Sequence, residues 1–377
     1  MHGLIAGLST RIFIRFDFRC HCQCPLASSS GLASYTTDGN KFHCLFWLGL
    51  AGEMAKPINW GIIGPGHIAA KFAADLHLAE NSLLKAVASR SLPRARDFAD
   101  KFAVERAYGS YAELAEDADI DVVYIATPHP HHFTNAMRCL KRGKAVLCEK
   151  PLGMNSSEVE QLYAVARENK CLLMEGLWTR FIPATEKLLQ LIHQGDIGEV
   201  IFIQADFGFR APADPQSRHF DKALGGGSLL DIGIYPVFLS HLLCGPPDTC
   251  KALATMTDGG VDSACTILFG YREQGQAMLS STFLIDTQCA ATIYGSTGTI
   301  KLQTPFHHSK KLHLWRDAQQ EEFTIPYRGN GFVDEIEEIE SCLRQNRWQS
   351  PRLPLQMSLG VAHSLDRIRA EIGLHYT

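Results

Sequence analysis

The chain has 377 residues, 46% of them hydrophobic and 20% charged, with a formal net charge of -4. That length exceeds one ordinary core and suits two, and the balance describes a folded globular protein, not a disordered or fibrous one. The weak negative charge offers no basic footprint for a polyanion, so nucleic acid is not an expected partner. No apolar stretch read from the sequence reaches the roughly 18 to 20 residues that cross a bilayer, so no membrane is expected either.

Residues 1–53 hold four of the 12 cysteines, three of them in CHCQC, and show no sustained helical or strand period. Three readings are open. Cys20, Cys22, Cys24 and His21 offer metal-binding atoms, although C-x-C-x-C lacks the paired C-x-x-C spacing of structural zinc sites. Arg11, Arg15 and Arg19 among few acids fit an organelle transit segment. The third reading is a start at Met54. On either of the last two, the segment takes no part in the chemistry. The later cysteines are scattered singly through apparent strands and helices, which fits buried free thiols in a reducing, cytoplasmic compartment.

From Ile58 the pattern becomes strand, turn and helix: INWGII, GPGHIA, then AKFAADLHLAE. Gly64, Gly66 and Ala69 occupy the G-x-G-x-x-A positions of a dinucleotide-binding turn. The first glycine permits the tight turn, the second lets backbone approach a pyrophosphate, and the helix opening at His67 and Ile68 supplies amide donors. LLKAVAS, DVVYIATP and KAVLCEK add strands, with SLPRARDFADKF and HHFTNAMRCLKRG as helices between them. Alternation of this kind predicts an α/β fold with a doubly wound parallel sheet, whose ligands lie outside the carboxyl ends of its strands.

The end of the second strand discriminates between cofactors. An NAD enzyme commonly has an Asp or Glu there for the ribose 2′-hydroxyl. This chain has Ser89, Arg90 and Ser91, with Arg94 one turn later. A hydroxyl and planar guanidinium forks suit a 2′-phosphate, so the expected cofactor is NADP.

KAVLCEK is the fifth strand, so Lys150 falls where the carboxyl edge of the sheet meets the nicotinamide end of the cofactor. A partly desolvated lysine beside a pyridinium has its ammonium disfavoured and its proton made available. Pro151 fixes the backbone after it. Glu149 either orients the lysine or closes the strand.

The order GPGHIA, SRS, ATPHPHH, CEKP and GGGSLLDIGIY resembles the glucose-fructose oxidoreductase, inositol dehydrogenase and rhizopine-catabolism family over residues 57 to about 375. The resemblance implies an NADP-dependent oxidoreductase acting on CH-OH groups. Lys150 matches the family's catalytic lysine, with a cis bond to Pro151, and Tyr235 matches its second catalytic residue. Many relatives have His at that position, and Tyr favours the sugar and dihydrodiol branch over the inositol branch. His132, with Thr127 and Glu149, is expected near the cofactor, and Trp178 and Arg180 resemble residues bordering the substrate pocket. No metal is expected, because His131 and His132 are adjacent and point apart on a helix.

Gly225, Gly226 and Gly227 read as a flexible lead into the helical run SLLDIGIYPVFLSHLL. Asp231 and Tyr235, four residues apart, then project from one face toward the substrate. Tyr235 is the expected proton-transfer group, with Lys150 lowering its pKa.

After Phe181 the period changes. A helix, FIPATEKLLQLIHQG, precedes VIFIQADFGF, KALATMT, SACTILFGY, QAMLSSTFLI, QCAATIYGS and GTIKLQT, strands spaced too closely for parallel crossovers. The expected architecture is a cofactor domain over residues 54–178 and an α+β substrate domain over 179–377. The second has a large, mostly antiparallel sheet whose open face forms a homodimer in the resembling family, and C-terminal helices that pack back across the junction. The implied substrate is a sugar or trans-dihydrodiol. An inositol, amino sugar or imine, or a non-catalytic NADPH sensor, are the alternatives.

Overall fold

A computed structural model of the chain describes residues 33–38, 41–46, 56–212, 214, 217–272 and 275–376. The readings on Cys20 to Cys24, the transit segment and the start at Met54 lie outside the described residues. The contacts divide the chain into two compact units, residues 1–56 and 57–377. In the first, β1 (Ala33–Asp38) pairs antiparallel with β2 (Lys41–Phe46), Asp38 opposite Lys41. The sequence reading found no strand period there. The available signal in the sequence was Gly-Asn at 39 and 40, a pair of the kind that reads as a hairpin connection.

The second unit opens with β3 (Ile58–Ile63), buried at every position, as expected of a parallel strand covered on both faces. The chain then runs α1 (His67–Leu76), β4 (Ser82–Ala88), α2 (Leu92–Phe102), β5 (Arg106–Tyr108), α3 (Tyr111–Glu116), β6 (Val122–Ile125), α4 (His132–Lys141), β7 (Ala145–Glu149), α5 (Ser156–Asn169) and β8 (Leu173–Gly176). The six strands pair in parallel in the order β5-β4-β3-β6-β7-β8. Chain order reverses direction between β3 and β6, which opens a crevice at their carboxyl ends where such sheets bind ligands. Lys150 directly follows β7.

Next come α6 (Pro183–His193), β9 (Val200–Gly208), a π-helical turn over Leu229–Gly233 and α7 (Ile234–Cys244). β10 (Thr249–Met256), β11 (Asp262–Tyr271), β12 (Gly275–Thr282), β13 (Ala291–Gly295), β14 (Gly298–Leu302), β15 (Lys311–Arg316) and β16 (Gln319–Thr324) follow, then α8 (Val333–Arg344) and α9 (Leu355–Ile372). The second sheet has the order β10-β11-β12-β9-β13-β14-β15-β16 and is antiparallel except where β12 meets β9. The π turn and α7 pack on β9 and β12. On the opposite face the alternation exposes Leu253, Leu268, Met278 and Tyr294, with Leu268 directly across from Met278. The α9 helix touches β8 of one sheet and β10 of the other.

By length and composition the run Lys222–Cys244 passes for a membrane span, which the sequence reading overlooked, but 83% of its apolar window is buried inside the protein. It is the helix at the centre of the second core. The eight cysteines of the second unit are free thiols, and seven of them are buried.

Candidate active site

The glycine turn fits a dinucleotide phosphate. Gly64 has φ +89, and a Cβ there would stand 2.8 Å from the Ala126 carbonyl oxygen, so only glycine serves. At Gly66 a Cβ would meet nothing within 4 Å; this is the open floor where another molecule's phosphate can approach. Gly66 caps α1 without a side-chain hydrogen bond, and no acid lies in the first turn. The amides at His67 and Ile68 therefore face outward with no side chain competing for an anion. At the end of β4, Ser89 Oγ accepts from the Ser91 amide at 3.2 Å. Arg90 and Arg94 are exposed and unpaired with any carboxylate among the described residues. Two free guanidiniums with no acid between them are the donor set a 2′-phosphate needs.

The loops after β6 and β7 are joined by one ring. Buried His132 meets the Pro151 carbonyl through Nδ1 and the Thr127 carbonyl through Nε2, both at 2.7 Å. Burial draws its pKa down to about 4, although both carbonyls pull the other way. The Lys150–Pro151 bond is cis. Glu149 accepts from Tyr124 Oη at 2.5 Å and from the Lys150 backbone amide at 3.3 Å. Its carboxylate thus orients the lysine's backbone and makes no bond to Nζ.

Lys150 Nζ donates to Asp231 twice, to Oδ1 at 2.9 Å and to the backbone carbonyl. It also lies 5.4 Å from the centroid of the Tyr235 ring. All three side chains are buried. The second acceptor is explained by local structure. The sequence reading made Ser228 to Leu243 a plain α-helix, but residues 229–233 are a π turn. In the π register the Asp231 carbonyl looks for the amide five residues on, and that residue is Pro236, which has no N–H. Lys150 takes the carbonyl that the helix cannot use.

The glycine run is tied down where the sequence reading expected a flexible lead. The amides of Gly225, Gly226 and Gly227 donate to the carbonyls of Lys222, Asp221 and His219. Their carbonyls accept from His129 Nδ1 at 3.1 Å, Tyr376 Oη at 2.5 Å and the Asp231 amide at 3.3 Å. Glycine is needed for conformation and space. Gly227 has φ +118, and a Cβ there would lie 2.4 Å from Asp262 Oδ1.

Aromatic rings wall the space above Tyr235. His307 is 4.8 Å and Phe207 5.7 Å from the Tyr235 ring, and Phe332 stacks on Trp178 at 4.8 Å. The Trp178 indole N–H is buried without a partner of ordinary geometry, close to Tyr235. The structure thus places Trp178 near Tyr235. Arg180 is not brought there. Its Nε donates to the Arg352 carbonyl at 2.8 Å and its Nη1 pairs with Glu186, so it braces α6 against the segment before α9. Sequence reasoning missed His129, Phe207, Arg218, His307 and Phe332. Only PHPHH carried a local signal for one of them.

The electrostatics centre on the buried Lys150–Asp231 pair, with the exposed Arg218 at its edge. Burial raises Asp231, but Lys150, Arg218 and His129 outweigh it and hold the carboxyl well below the usual carboxylate range. Arg218 Nη2 reaches Asp231 Oδ2 at 3.3 Å. His129, 3.9 Å from Asp231, is pushed down to about 3 by burial and then by Lys150, so it is neutral. Burial, then the charges of Glu149 and Asp231, push Tyr235 well above the ordinary phenol range. Burial and these carboxylate charges act on Tyr235 in the direction opposite to the lowering expected from Lys150. The site sets one ammonium 5.4 Å from the ring centroid of a protonated phenol, two donors of the kind that stabilise a single substrate oxygen.

Comparison with known proteins agrees with this geometry. Residues 58–177 match the Gfo/Idh/MocA oxidoreductase family, NAD-binding Rossmann fold, and residues 185–301 match the Gfo/Idh/MocA C-terminal domain. The chain belongs to this family of oxidoreductases. It is 36% identical to the trans-1,2-dihydrobenzene-1,2-diol dehydrogenase of Homo sapiens over 331 residues, 85% of this chain and 98% of that one. It is 37% identical to the enzyme of the same name from Mus musculus over 333 residues, again 85% and 98%. A 3-ketoreductase from Actinomadura kijaniata, solved in complex with NADP and TDP-benzene, superposes with a TM-score of 0.75 at 28% identity, covering 84% of this chain and 98% of that one.

Proposed function

We propose that the protein is an NADP-dependent dehydrogenase that moves a hydride between the nicotinamide and a carbinol carbon of a sugar or trans-dihydrodiol. The observation that carries this reading is the Lys150 ammonium, 2.9 Å from Asp231 and 5.4 Å from the Tyr235 ring centroid, at the carboxyl end of β7. The unpaired Arg90 and Arg94 support NADP over NAD, as does the ketoreductase relative bound to NADP. The dehydrogenase relatives named for a dihydrodiol support the substrate class.

The bound dinucleotide supplies the hydride acceptor in oxidation and the donor in reduction. Lys150 binds the substrate oxygen through its ammonium, held in line by Asp231. Tyr235 moves the proton at the same oxygen, taking it from the hydroxyl in oxidation and returning it to the forming alkoxide in reduction. A protonated Tyr235 is the form that donates in reduction, and oxidation uses the tyrosinate form of the same group. Trp178, Phe207 and Phe332 keep water out and pack against the apolar side of a ring. The cofactor domain ends near Trp178, where this wall begins.

The apolar open face of the second sheet supports a homodimer, since Leu253, Leu268 and Met278 stand exposed in neighbouring strands. The eight free thiols support a reducing, cytoplasmic compartment.

The test uses the purified protein with NADP and a panel of aldoses, inositols and trans-dihydrodiols. Lys150→Met and Tyr235→Phe should each lower turnover at least about tenfold, with NADPH binding retained by fluorescence titration. Unchanged turnover in both variants, or tight NADPH binding with no turnover of any panel member by the unmodified protein, overturns the proposal.

A further inference from the structure

The wall beside Tyr235 contains one polar ring that the mechanism above leaves without a task. His307 lies in the short turn Phe306–His308 between β14 and β15 and is buried. Its ring stacks on Phe207 with centroids 4.3 Å apart and planes 19° apart, and its centroid is 4.8 Å from that of Tyr235. The backbone is pinned, because Thr179 Oγ1 donates to the His307 carbonyl at 2.7 Å. Thus His307 cannot withdraw from Tyr235 without disturbing the turn after β8.

Its two nitrogens differ. Nδ1 lies 3.9 Å from Cys289 Sγ, and burial keeps that thiol protonated by pushing it up to about 12. No protein group bonds Nε2 among the described residues, and Nε2 is not one of the buried polar atoms left without a partner, so it retains access to the space in front of the ring. Burial, followed by the neighbouring His308 and Lys150, holds the ring neutral. A neutral imidazole with one nitrogen against a thiol keeps the other free to exchange a hydrogen bond with a hydroxyl. Had the wall been built only for apolar contact, a phenyl ring would fill the same stack without bringing a polar atom into it.

We propose that His307 determines specificity: its Nε2 hydrogen-bonds the hydroxyl adjacent to the reacting carbinol, so the site selects vicinal diols, including the adjacent hydroxyls of a sugar, over lone alcohols. The inference deepens the proposed function and rests on it. Lys150 and Tyr235 share the reacting oxygen, and His307 reads the next one. Phe207 and Cys289 position the ring. A site built to bond a substrate hydroxyl discriminates strongly against an analogue lacking it, because its own polar group is then left unpaired.

The test compares trans-cyclohexane-1,2-diol with cyclohexanol, and D-xylose as a second vicinal substrate, on the NADP-loaded protein. His307→Phe keeps the ring stack and removes both nitrogens. It should lower kcat/KM for the diol and for D-xylose, each relative to that for cyclohexanol, at least tenfold, while KM for NADP stays within twofold. His307→Gln, which returns a polar atom near the Nε2 position, should recover that ratio to within about threefold of the unmodified protein. Equal kcat/KM changes for diol and lone alcohol in His307→Phe overturn the inference, as does a His307→Gln variant that is folded by circular dichroism yet no better than Phe. If His307→Phe does not fold, the Gln variant decides: a diol-to-alcohol preference that collapses in it overturns the inference, and one that persists supports it. If the unmodified protein turns over none of these substrates, the proposed function itself falls and this inference with it. Turnover by the unmodified protein with no selective loss in the variants removes only the inference.

Discussion

Lys150 Nζ sits 2.9 Å from Asp231 Oδ1, across 81 residues of chain, and the same ammonium also bonds the Asp231 backbone carbonyl. One aspartate thus holds the lysine through two different atoms, only one of which a substitution can change. Asp231→Asn keeps an acceptor at the Oδ1 position but removes the charge that compensates a buried ammonium. Removing one partner of a buried pair costs about 3 kcal/mol, and Arg218 and His129 are left facing an uncharged amide. We expect turnover to fall at least about tenfold and the urea midpoint to drop, with NADPH affinity within twofold. Wild-type turnover in Asp231→Asn would show that the pair only stabilises the fold.

Arg90 and Arg94 make no ion pair among the described residues, so replacing them should not disturb the fold. Arg90→Ala should raise KM for NADP by about 10- to 100-fold, the worth of a charge-assisted bond of roughly 1.5 to 3 kcal/mol, while KM for NAD changes little. Steady-state assays with both cofactors check this. Parallel losses with NAD and NADP would mean that the guanidinium meets the adenine and not a phosphate.

Glu175 on β8 gives a pH prediction. Its Oε1 accepts from the Leu152 amide at 2.9 Å, its Oε2 has no partner of ordinary geometry among the described residues, and burial pushes its pKa up to about 7 from 4.5 although the nearby Ser358 hydroxyl pulls the other way. Below pH 4.5 the carboxyl is protonated in folded and unfolded chains alike. As pH rises through this window the unfolded chain releases the proton first, so the folded state loses about 3 kcal/mol of relative stability by the time pH passes 7. Glu175→Gln keeps an acceptor for Leu152 and cannot ionise. Between pH 5 and pH 8 its urea midpoint should fall less than that of the unmodified protein. Identical pH dependence in the two would place the ionisation elsewhere, for example at Asp262, which burial raises to about 6.

The open face of the eight-stranded sheet has Leu268 directly across from Met278. Charged side chains at both positions should leave the monomer intact, because these residues point away from the core, and should prevent close apposition of two such faces. Leu268→Lys with Met278→Glu is expected to sediment at the monomer mass where the unmodified protein sediments at twice that. A dimer that survives the double substitution would move the interface to another surface.

The parts of this molecule that could be read from sequence were those whose cause is local. GPGHIA works because glycine geometry and a helix start are contiguous, and CEKP because a strand end and a proline are adjacent. The strands from β9 to β14 announced themselves by alternation and turns. β15 and β16 did not, since β16 is an edge strand whose residues QQEEFT are nearly all exposed and carry no buried stripe to detect. The π turn was invisible because Asp231 and Tyr235 satisfy an α-helical spacing just as well. Arg180 looked like a pocket residue beside Trp178 because its true partners, Glu186 and Arg352, are reached only through the fold. The same holds in reverse for Phe207 and His307, which come to Tyr235 from the far sheet and have no motif of their own.

His132 has a consequence beyond its own two bonds. By spanning the Thr127 and Pro151 carbonyls, one side chain sets the width of the gap between the loop after β6 and the cis turn after β7. A strut of fixed length makes the two banks of the cleft a single mechanical body, so the lysine next to Pro151 is registered against the opposite bank before anything arrives. Docking then spends little of its free energy on ordering the lysine. Displacement of either loop is transmitted to the other through an imidazole, without passing along the helix that carries Asp231 and Tyr235.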